Sequence, residues 1–276
     1  MPNALDTNRL AAPPIEASQF KAVVFDWAGT TIDFGSFAPM EVFVEAFATF
    51  GVDVSVAEAR APMGKPKWDH IETMLFDEAI AARWRAAHGA VPTRADVDGI
   101  YAVFVPLNEK VVADYATLVP GTAEAVAALR AKGIKIGSTT GYTRSIMKNV
   151  LPVAEAQGYA PDNLVCSDDL PEGRPGPLGM YQCLVDLVAY PPSQVVKVDD
   201  TAPGIAEGVA AGCVTVGVAL SGNYVGRTLE DLKALPDNEL ALLRNVARDR
   251  LIAAGADHVI DTVADLPALI ETLEGR

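Results

Sequence analysis

The sequence predicts an α/β protein: a Rossmann-like parallel sheet core with an all-helical cap domain inserted after its first strand. Three observations carry that expectation. From residue 119 onward, short apolar runs alternate with stretches of helical spacing, the pattern of a parallel sheet wrapped by helices. Residues 35 to 112 show helical spacing and no strand run. A single apolar run, at 21 to 26, precedes that helical block. The expected parts are a core segment 1–34, a helical cap 35–112 and a second core segment 113–276, with residues 1 to 18 a polar, proline-containing mobile leader.

The first run, KAVVFD, ends in Asp26 and is followed by WAGTT, small and hydroxyl residues suited to a sharp turn. It reads as a buried parallel strand whose last residue emerges at the carboxyl edge of the sheet, where open α/β folds place their ligands. By itself Asp26 reads as a turn cap. With a cation to shield it, the same carboxylate can attack phosphorus. Within the cap, residues 39–50, 67–88 and 94–118 have apolar positions at helical spacing, the last interrupted at Pro106. Thereafter helices are expected at 121–132, 143–157, 177–189 and 202–211, and strands at 134–139, 163–166, 195–199 and 214–218. Helical material at 228–254 and a strand near 257–261 complete the sheet.

Two of those strand ends carry chemistry. STTGYT follows the run IKIG, so the Thr140 hydroxyl and the Gly141 amide can hold phosphoryl oxygens at a strand tip. VVKVDDT ends in Asp199 and Asp200, which can reach a divalent cation, and magnesium needs one or two protein carboxylates, such as Asp26 and Asp200. Between them Arg174, in DDLPEGRPGP, suits a phosphoryl group.

The ordered signals hhhhDxxGT, hhhhSTTG, a basic residue and hhhhDD resemble the haloacid dehalogenase-like superfamily over residues 20–33 and 115–276. One departure is informative. Most phosphatases of that superfamily place a second aspartate two positions after the nucleophile to protonate an oxygen leaving group, and here that position is Ala28. FDWAGTTIDFGSFAP, MGKPKWDH, IGSTTGYTR, DDLPEGRP and KVDDT are very similar to segments of the phosphonoacetaldehyde hydrolase family, in which carbon is the leaving group. The resemblance implies that Asp26 is the nucleophile and that the Ala28 backbone and Asp200 help hold Mg2+. It implies phosphoryl contacts from Thr140, Gly141 and Arg174, a Schiff base on Lys67, and Met63, His70 and Tyr142 around that lysine. Ser36 and Gly204 stand where some members have cysteine and aspartate. A homodimer is implied as well, with the apolar helix 39–50 as its contact.

The pairing of Lys67 with Asp26 has its own logic. A carbon–phosphorus bond breaks readily only if the departing carbon has an electron sink, and an iminium made from a neighbouring aldehyde supplies one. Lys67 must then be a free amine, although an unperturbed lysine titrates near 10.4. Burial in a closed cap, Lys65 two residues away and Arg174 are expected to push its pKa down. His70, three positions along the same helical face, is expected to shuttle protons. His88 and His258 read as structural. The other readings are a phosphatase or haloacid dehalogenase of the same fold, and a non-catalytic regulatory protein on a degenerate core.

Composition agrees. The 276 residues are half apolar, enough for a core plus an insertion. A net charge of −14 argues against nucleic acid or anionic membrane as partner, and leaves a small-molecule phosphonate to be captured by local field. Cys166, Cys183 and Cys213 lie in apolar contexts without metal-ligand spacing, and with no secretory signal they suggest reduced thiols in the cytoplasm. No apolar stretch reaches the length of a bilayer span.

Overall fold

The computed structural model describes residues 18–275. The leader expected over residues 1 to 18 lies, except for Ser18, outside them. Five strands form one sheet: β1 (Ala22–Phe25), β2 (Lys135–Ser138), β3 (Val195–Asp199), β4 (Val214–Val218) and β5 (His258–Ile260). They lie in the order β2-β1-β3-β4-β5, and every pair is parallel. β1 and β3 are buried along their whole length, which is why they read as continuous runs of Val and Phe rather than as alternation. This order sets the ends of β1 and β3 side by side, and β2 on the other flank of β1.

Between β1 and β2 lie α1 (Ala38–Ala48), α2 (Val56–Arg60), α3 (Lys67–Leu75), α4 (Glu78–His88), α5 (Arg94–Val111) and α6 (Thr122–Ala131). The first five form the inserted helical cap, with a core of their own. Phe43 and Phe47 from α1 meet Ile71 and Met74 from α3 and Val97, Ile100 and Phe104 from α5, all buried. The second half adds α7 (Arg144–Ala156), α8 (Leu178–Asp186), α9 (Ala202–Ala211), α10 (Leu229–Ala234), α11 (Asp237–Ala253) and α12 (Leu266–Leu273). α7 buries Ile146, Met147 and Val150 in the same cluster as Val23 and Phe25 of β1. No described helix is long and apolar enough to cross a membrane, and the three cysteines are free and buried.

Several expectations are corrected. Residues 163–166 form no strand; they run beside the edge strand β2 through a few backbone hydrogen bonds, and only Thr139 and Val165 make an isolated parallel bridge. The expected interruption at Pro106 does not occur. α5 continues through it, since burial of Val97, Ile100, Phe104 and Asn108 on both sides of the proline outweighs one lost backbone bond. The stretch 67–88 divides at Asp77, whose carboxylate accepts from the amides of Ala79 and Ile80 and starts a new helix. Helices α2 and α12 were not expected. Helix α1 spends Met40, Val42, Phe43, Ala46 and Phe47 inside the cap, and presents Glu41, Glu45 and Ala48 outward.

Candidate active site

Asp26 is the first residue past β1, and its amide still donates to Val198 O of β3 (3.0 Å). The chain then turns tightly. The amides of Thr30, Thr31 and Ile32 all donate to Trp27 O, and Gly29 N donates to Ile32 O, a set that leaves the Ala28 carbonyl unused. Asp200, at the end of β3, accepts from Thr30 Oγ1 at Oδ1 (3.0 Å) and from Asn223 N at Oδ2 (2.7 Å). Carboxylate oxygens of Asp26, Asp199 and Asp200 lie within 4.8 Å of one another, all buried.

Burial dominates there, and crowding of like charge adds to it. Burial, then Asp199, raises the pKa of Asp26 to about 6 against the pull of Arg174. Burial, then Asp26 and Asp199, holds Asp200 well above the ordinary carboxylate range. Two buried, hydrogen-bonded carboxylates with raised pKa values, beside an unengaged carbonyl, form an oxygen-donor set that a hard divalent cation would relieve. The residues therefore fit a metal.

Arg174 is the hub of the core side, 7% exposed. It donates from Nη1 to Asp26 Oδ1 (2.8 Å), from Nε to Glu207 Oε2 (3.0 Å), and from Nη2 to Thr139 O (2.8 Å) and Oγ1 (2.7 Å). A guanidinium has five N–H groups, so one remains, on the Nη1 that also stands 3.3 Å from Asp199. Beneath it Lys197 is fully buried and bonds Thr139 Oγ1 (2.7 Å), with Asp199 and Glu207 at 3.1 and 3.2 Å.

The cap side is furnished differently. Lys67 opens α3 directly after Pro66 and is 4% exposed. Its Nζ lies 4.0 Å from Met63 Sδ and 5.0 Å above the Tyr142 ring, and it forms no ion pair among the described residues. Burial first, then Arg174, lowers its pKa to about 8, while Asp26, Asp200 and Asp33 hold it up. Lys65 was expected to contribute, but its ammonium turns away to Thr73 Oγ1 (2.8 Å), and burial takes its place as the main cause. The Tyr142 hydroxyl, the Ser36 hydroxyl and His70 Nδ1 are buried without a hydrogen-bond partner among the described residues.

A cavity of about 20 Å³ joins the two sides, lined by Asp26, Ala28, Met63, Lys67, Thr140, Gly141, Tyr142 and Arg174 among others. That is room for little more than a water molecule, so the cap is closed in this conformation. Thr140 Oγ1 is taken by the Tyr142 amide (3.1 Å), and Gly141 lies so close under the cap that a Cβ there would come 2.7 Å from Lys65 O. Asp200 stands behind Asp26 rather than in the lining. His70 is not in the lining either. Its Nε2 donates to Ala59 O (2.7 Å), its ring stacks on Phe43 at 4.0 Å, and burial with Lys67 nearby holds its pKa well below the usual value. The ring is neutral and fixed, which does not suit a direct proton shuttle.

Sequence reading missed Lys197, Glu207, Asp33, Arg60 and Asn223. A lysine inside VVKVD and a glutamate inside the apolar IAEGVAA were signals, since a charge in a buried run needs a buried partner. Arg60 and Asn223 carry no such signal, because they meet only in the fold. Arg60 Nη1 reaches from α2 across to Gly35 O (2.7 Å) and Asn223 Oδ1 (3.1 Å).

Comparison with known proteins agrees with this geometry. Residues 20–212 match the family model of haloacid dehalogenase-like hydrolases. Phosphonoacetaldehyde hydrolase from Paraburkholderia phytofirmans is 48% identical over 256 residues, covering 93% of this chain and 96% of its own length. The chain belongs to the phosphonoacetaldehyde hydrolase family. The Klebsiella pneumoniae family member is likewise 48% identical, over 94% of this chain and 97% of its own. A crystal structure of a phosphonoacetaldehyde hydrolase-like protein from Oleispira antarctica superposes with a TM-score of 0.92 at 42% identity, covering 97% of both chains.

Proposed function

We propose that this protein hydrolyses the carbon–phosphorus bond of phosphonoacetaldehyde to acetaldehyde and phosphate, through a Schiff base on Lys67 and an aspartyl phosphate on Asp26. The observation that carries this reading is that an unpaired buried amine and a strand-end carboxylate line the same small cavity. The Lys67 amine, with a pKa near 8, adds to the aldehyde carbon, and proton uptake with loss of water gives the protonated imine, an iminium. An Asp26 oxygen bonds to phosphorus as the carbon–phosphorus bond breaks, and the electron pair passes into the enamine. Proton uptake at carbon and hydrolysis of the resulting iminium release acetaldehyde. Water then attacks the phosphorus of the aspartyl phosphate, releasing phosphate and restoring Asp26.

Asp26, Asp200 and the Ala28 carbonyl would hold Mg2+, which when bound offsets the repulsion between the carboxylate and the phosphoryl oxygens. Arg174 fixes the Asp26 carboxylate by one oxygen and keeps a spare Nη1 proton for a phosphoryl oxygen. Thr140 and Gly141 offer further polar contacts at the tip of β2. The tightly closed cavity means that the cap must open to admit substrate, and reclosure excludes water. Ala28 carries no proton, so the site lacks the acid that an oxygen leaving group requires. A cytoplasmic, homodimeric enzyme acting on a small phosphonate completes the reading, supported by the acidic charge, the unpaired thiols and the family.

The test is phosphate release from phosphonoacetaldehyde, with and without magnesium, beside p-nitrophenyl phosphate. Magnesium-dependent release from the phosphonate alone is expected. Comparable rates on the ester would favour a phosphatase, and activity that survives chelation would remove the metal.

A further inference from the structure

Arg174 on the core directly follows Gly173, and Lys67 on the cap directly follows Pro66. Those two preceding residues touch. A Cβ built on Gly173 would stand 2.5 Å from Pro66 Cγ, with Pro66 Cδ and Cβ at 3.6 and 3.7 Å. The backbone of Gly173 lies outside the left-handed region, so its conformation does not call for glycine. The closeness of the cap does. The same cap segment rests on a second bare core position, Gly141, where a Cβ would come 2.7 Å from Lys65 O. There is little slack around the contact. The cavity lined by Pro66, Gly141, Gly173 and Arg174 among others is only about 20 Å³, and a proline ring, closed on its own backbone, cannot swing its Cγ aside.

We propose that Pro66 against Gly173 is the stop that sets how far the cap closes, and that it fixes the spacing between the Lys67 amine and the phosphoryl site at Asp26 and Arg174. This rests on the function proposed above and makes positions 66 and 173 determinants of substrate length. In phosphonoacetaldehyde one methylene separates the carbonyl carbon from phosphorus, so an imine on Lys67 presents phosphorus to Asp26 at one cap position only. Arg174 cannot follow a displaced cap, because its bonds to Asp26, Glu207 and Thr139 tie it to the core. Lys67 is tied as firmly to Pro66. It is the first residue of α3, whose first turn closes as His70 N donates to Pro66 O (2.9 Å). A shift of Pro66 therefore carries the amine with it. Neither Pro66 nor Gly173 lines the cavity that Lys67 and Asp26 share, so both are positioning residues.

The experiment uses the full chain and reads kcat for phosphate release, the melting temperature, and borohydride trapping of the Lys67 imine. Trapping is run with acetaldehyde and with the phosphonoaldehyde one methylene longer than the substrate, an added bond of about 1.5 Å. An ordinary contact begins at 3.4 Å. Gly173→Ala should thus hold the cap back by about 1 Å and lower kcat about a hundredfold, with the melting temperature close to wild type. Trapping with acetaldehyde, which has no phosphoryl group to place, should be largely retained, and trapping with the longer phosphonoaldehyde should rise severalfold relative to it. Pro66→Ala removes the clashing Cγ and leaves Cβ at 3.7 Å, so the double variant Pro66→Ala, Gly173→Ala should regain about tenfold or more of the lost kcat. Pro66→Ala alone adds no clash and lets the cap travel further, so kcat should fall by less than in Gly173→Ala, with no rise in trapping of the longer aldehyde. Undiminished kcat in either single variant, a double variant no better than Gly173→Ala, or an unchanged trapping ratio in Gly173→Ala overturns the stop and leaves the proposed function in place. A wild-type protein in which acetaldehyde and borohydride leave Lys67 unlabelled overturns both.

Discussion

On the core side of the cavity, Arg174 makes four hydrogen bonds, Asp200 accepts two and Lys197 is enclosed by Thr139, Asp199 and Glu207. Around the cap's Lys67 the furnishing is sparser: Lys67 forms no ion pair, and His70 Nδ1 and the Tyr142 hydroxyl that the core contributes have no hydrogen-bond partner, among the described residues. A buried polar group without a partner is destabilising by about 1–3 kcal/mol, so chains seldom keep several together. On the proposed mechanism, the contrast follows from what each side has to meet. A phosphoryl group and a cation arrive with full charges, and rigid, pre-paired groups hold them without rearrangement. An aldehyde arrives nearly neutral and must be attacked by an amine, which a neighbouring carboxylate would keep protonated.

The sharpest way to break this comparison is to disable the two sides separately. Asp26→Asn removes the anionic nucleophile with little change of shape, and turnover should fall by about 10³-fold or more. Imine formation should survive, so borohydride with acetaldehyde should still label the peptide that contains Lys67. Lys67→Arg keeps the charge but cannot form the imine, and both turnover and label should be lost. Mass spectrometry of the peptide decides. Labelling of Lys65 instead, or turnover by Asp26→Asn near the wild-type rate, would dissolve the division of labour.

The same label reads the charge state of the amine. Lys67 has a depressed pKa of about 8, so the reactive neutral form is lost as pH falls through 8 and is nearly complete above it. Initial labelling rate should therefore rise with pH to a half-point near 8, instead of near the 10.4 of an unperturbed lysine. Saturating Mg2+ should move that half-point lower, because a cation cancels Asp26 and Asp200, two of the groups that hold the amine's pKa up. A half-point near 10 would mean that the pocket does not desolvate the lysine.

The core was legible in the sequence because a buried parallel strand is a local pattern. AVVF, KIGS and VVKVD announce themselves, and each site residue at a strand end is found by counting to its last position. Lys67 was legible through its MGKPKWDH context. What sequence could not yield were relations between segments. That Asp199 fills the space over Gly204, that His70 spends its ring on Ala59 and Phe43, and that Arg60 meets Asn223 are facts about tertiary approach. Pro106 misled for the same reason: tertiary burial of α5 overrides a local breaker.

Arg60 gives the next test, since it joins the two sides. Its guanidinium leaves the cap to bond Gly35 O and Asn223 Oδ1, and the Asn223 amide in turn donates to Asp200 Oδ2 (2.7 Å). Closing the cap thus steadies Asp200, a carboxylate proposed to hold the metal. Arg60→Ala should raise KM by about tenfold, the equivalent of roughly 1.4 kcal/mol, with a smaller change in kcat and weaker Mg2+ binding. Arg60→Lys, which keeps the charge on a side chain of different reach and geometry, should fall between. A kcat loss with KM unchanged would place Arg60 in the chemical step and not in closure.

The smallest expected effect bears most directly on why the surroundings of the Lys67 amine are bare. The Tyr142 hydroxyl is buried, lacks a partner and belongs to a ring that lines the cavity below the Lys67 amine. Burial first, then Asp33, Asp26 and Asp200, holds its pKa well above the usual value, so it stays protonated and available as a donor. Tyr142→Phe removes an unsatisfied hydroxyl and keeps the ring. Stability should hold or rise by up to about 1 kcal/mol, a few degrees in Tm for a chain of this size. If the hydroxyl is kept for the substrate, kcat/KM should nevertheless drop by roughly fivefold to tenfold. Calorimetry and steady-state kinetics on one preparation separate the cases. A fall in Tm would reveal a structural partner, and an unchanged rate with a raised Tm would make the bare hydroxyl a packing defect instead of a contact held open for the aldehyde.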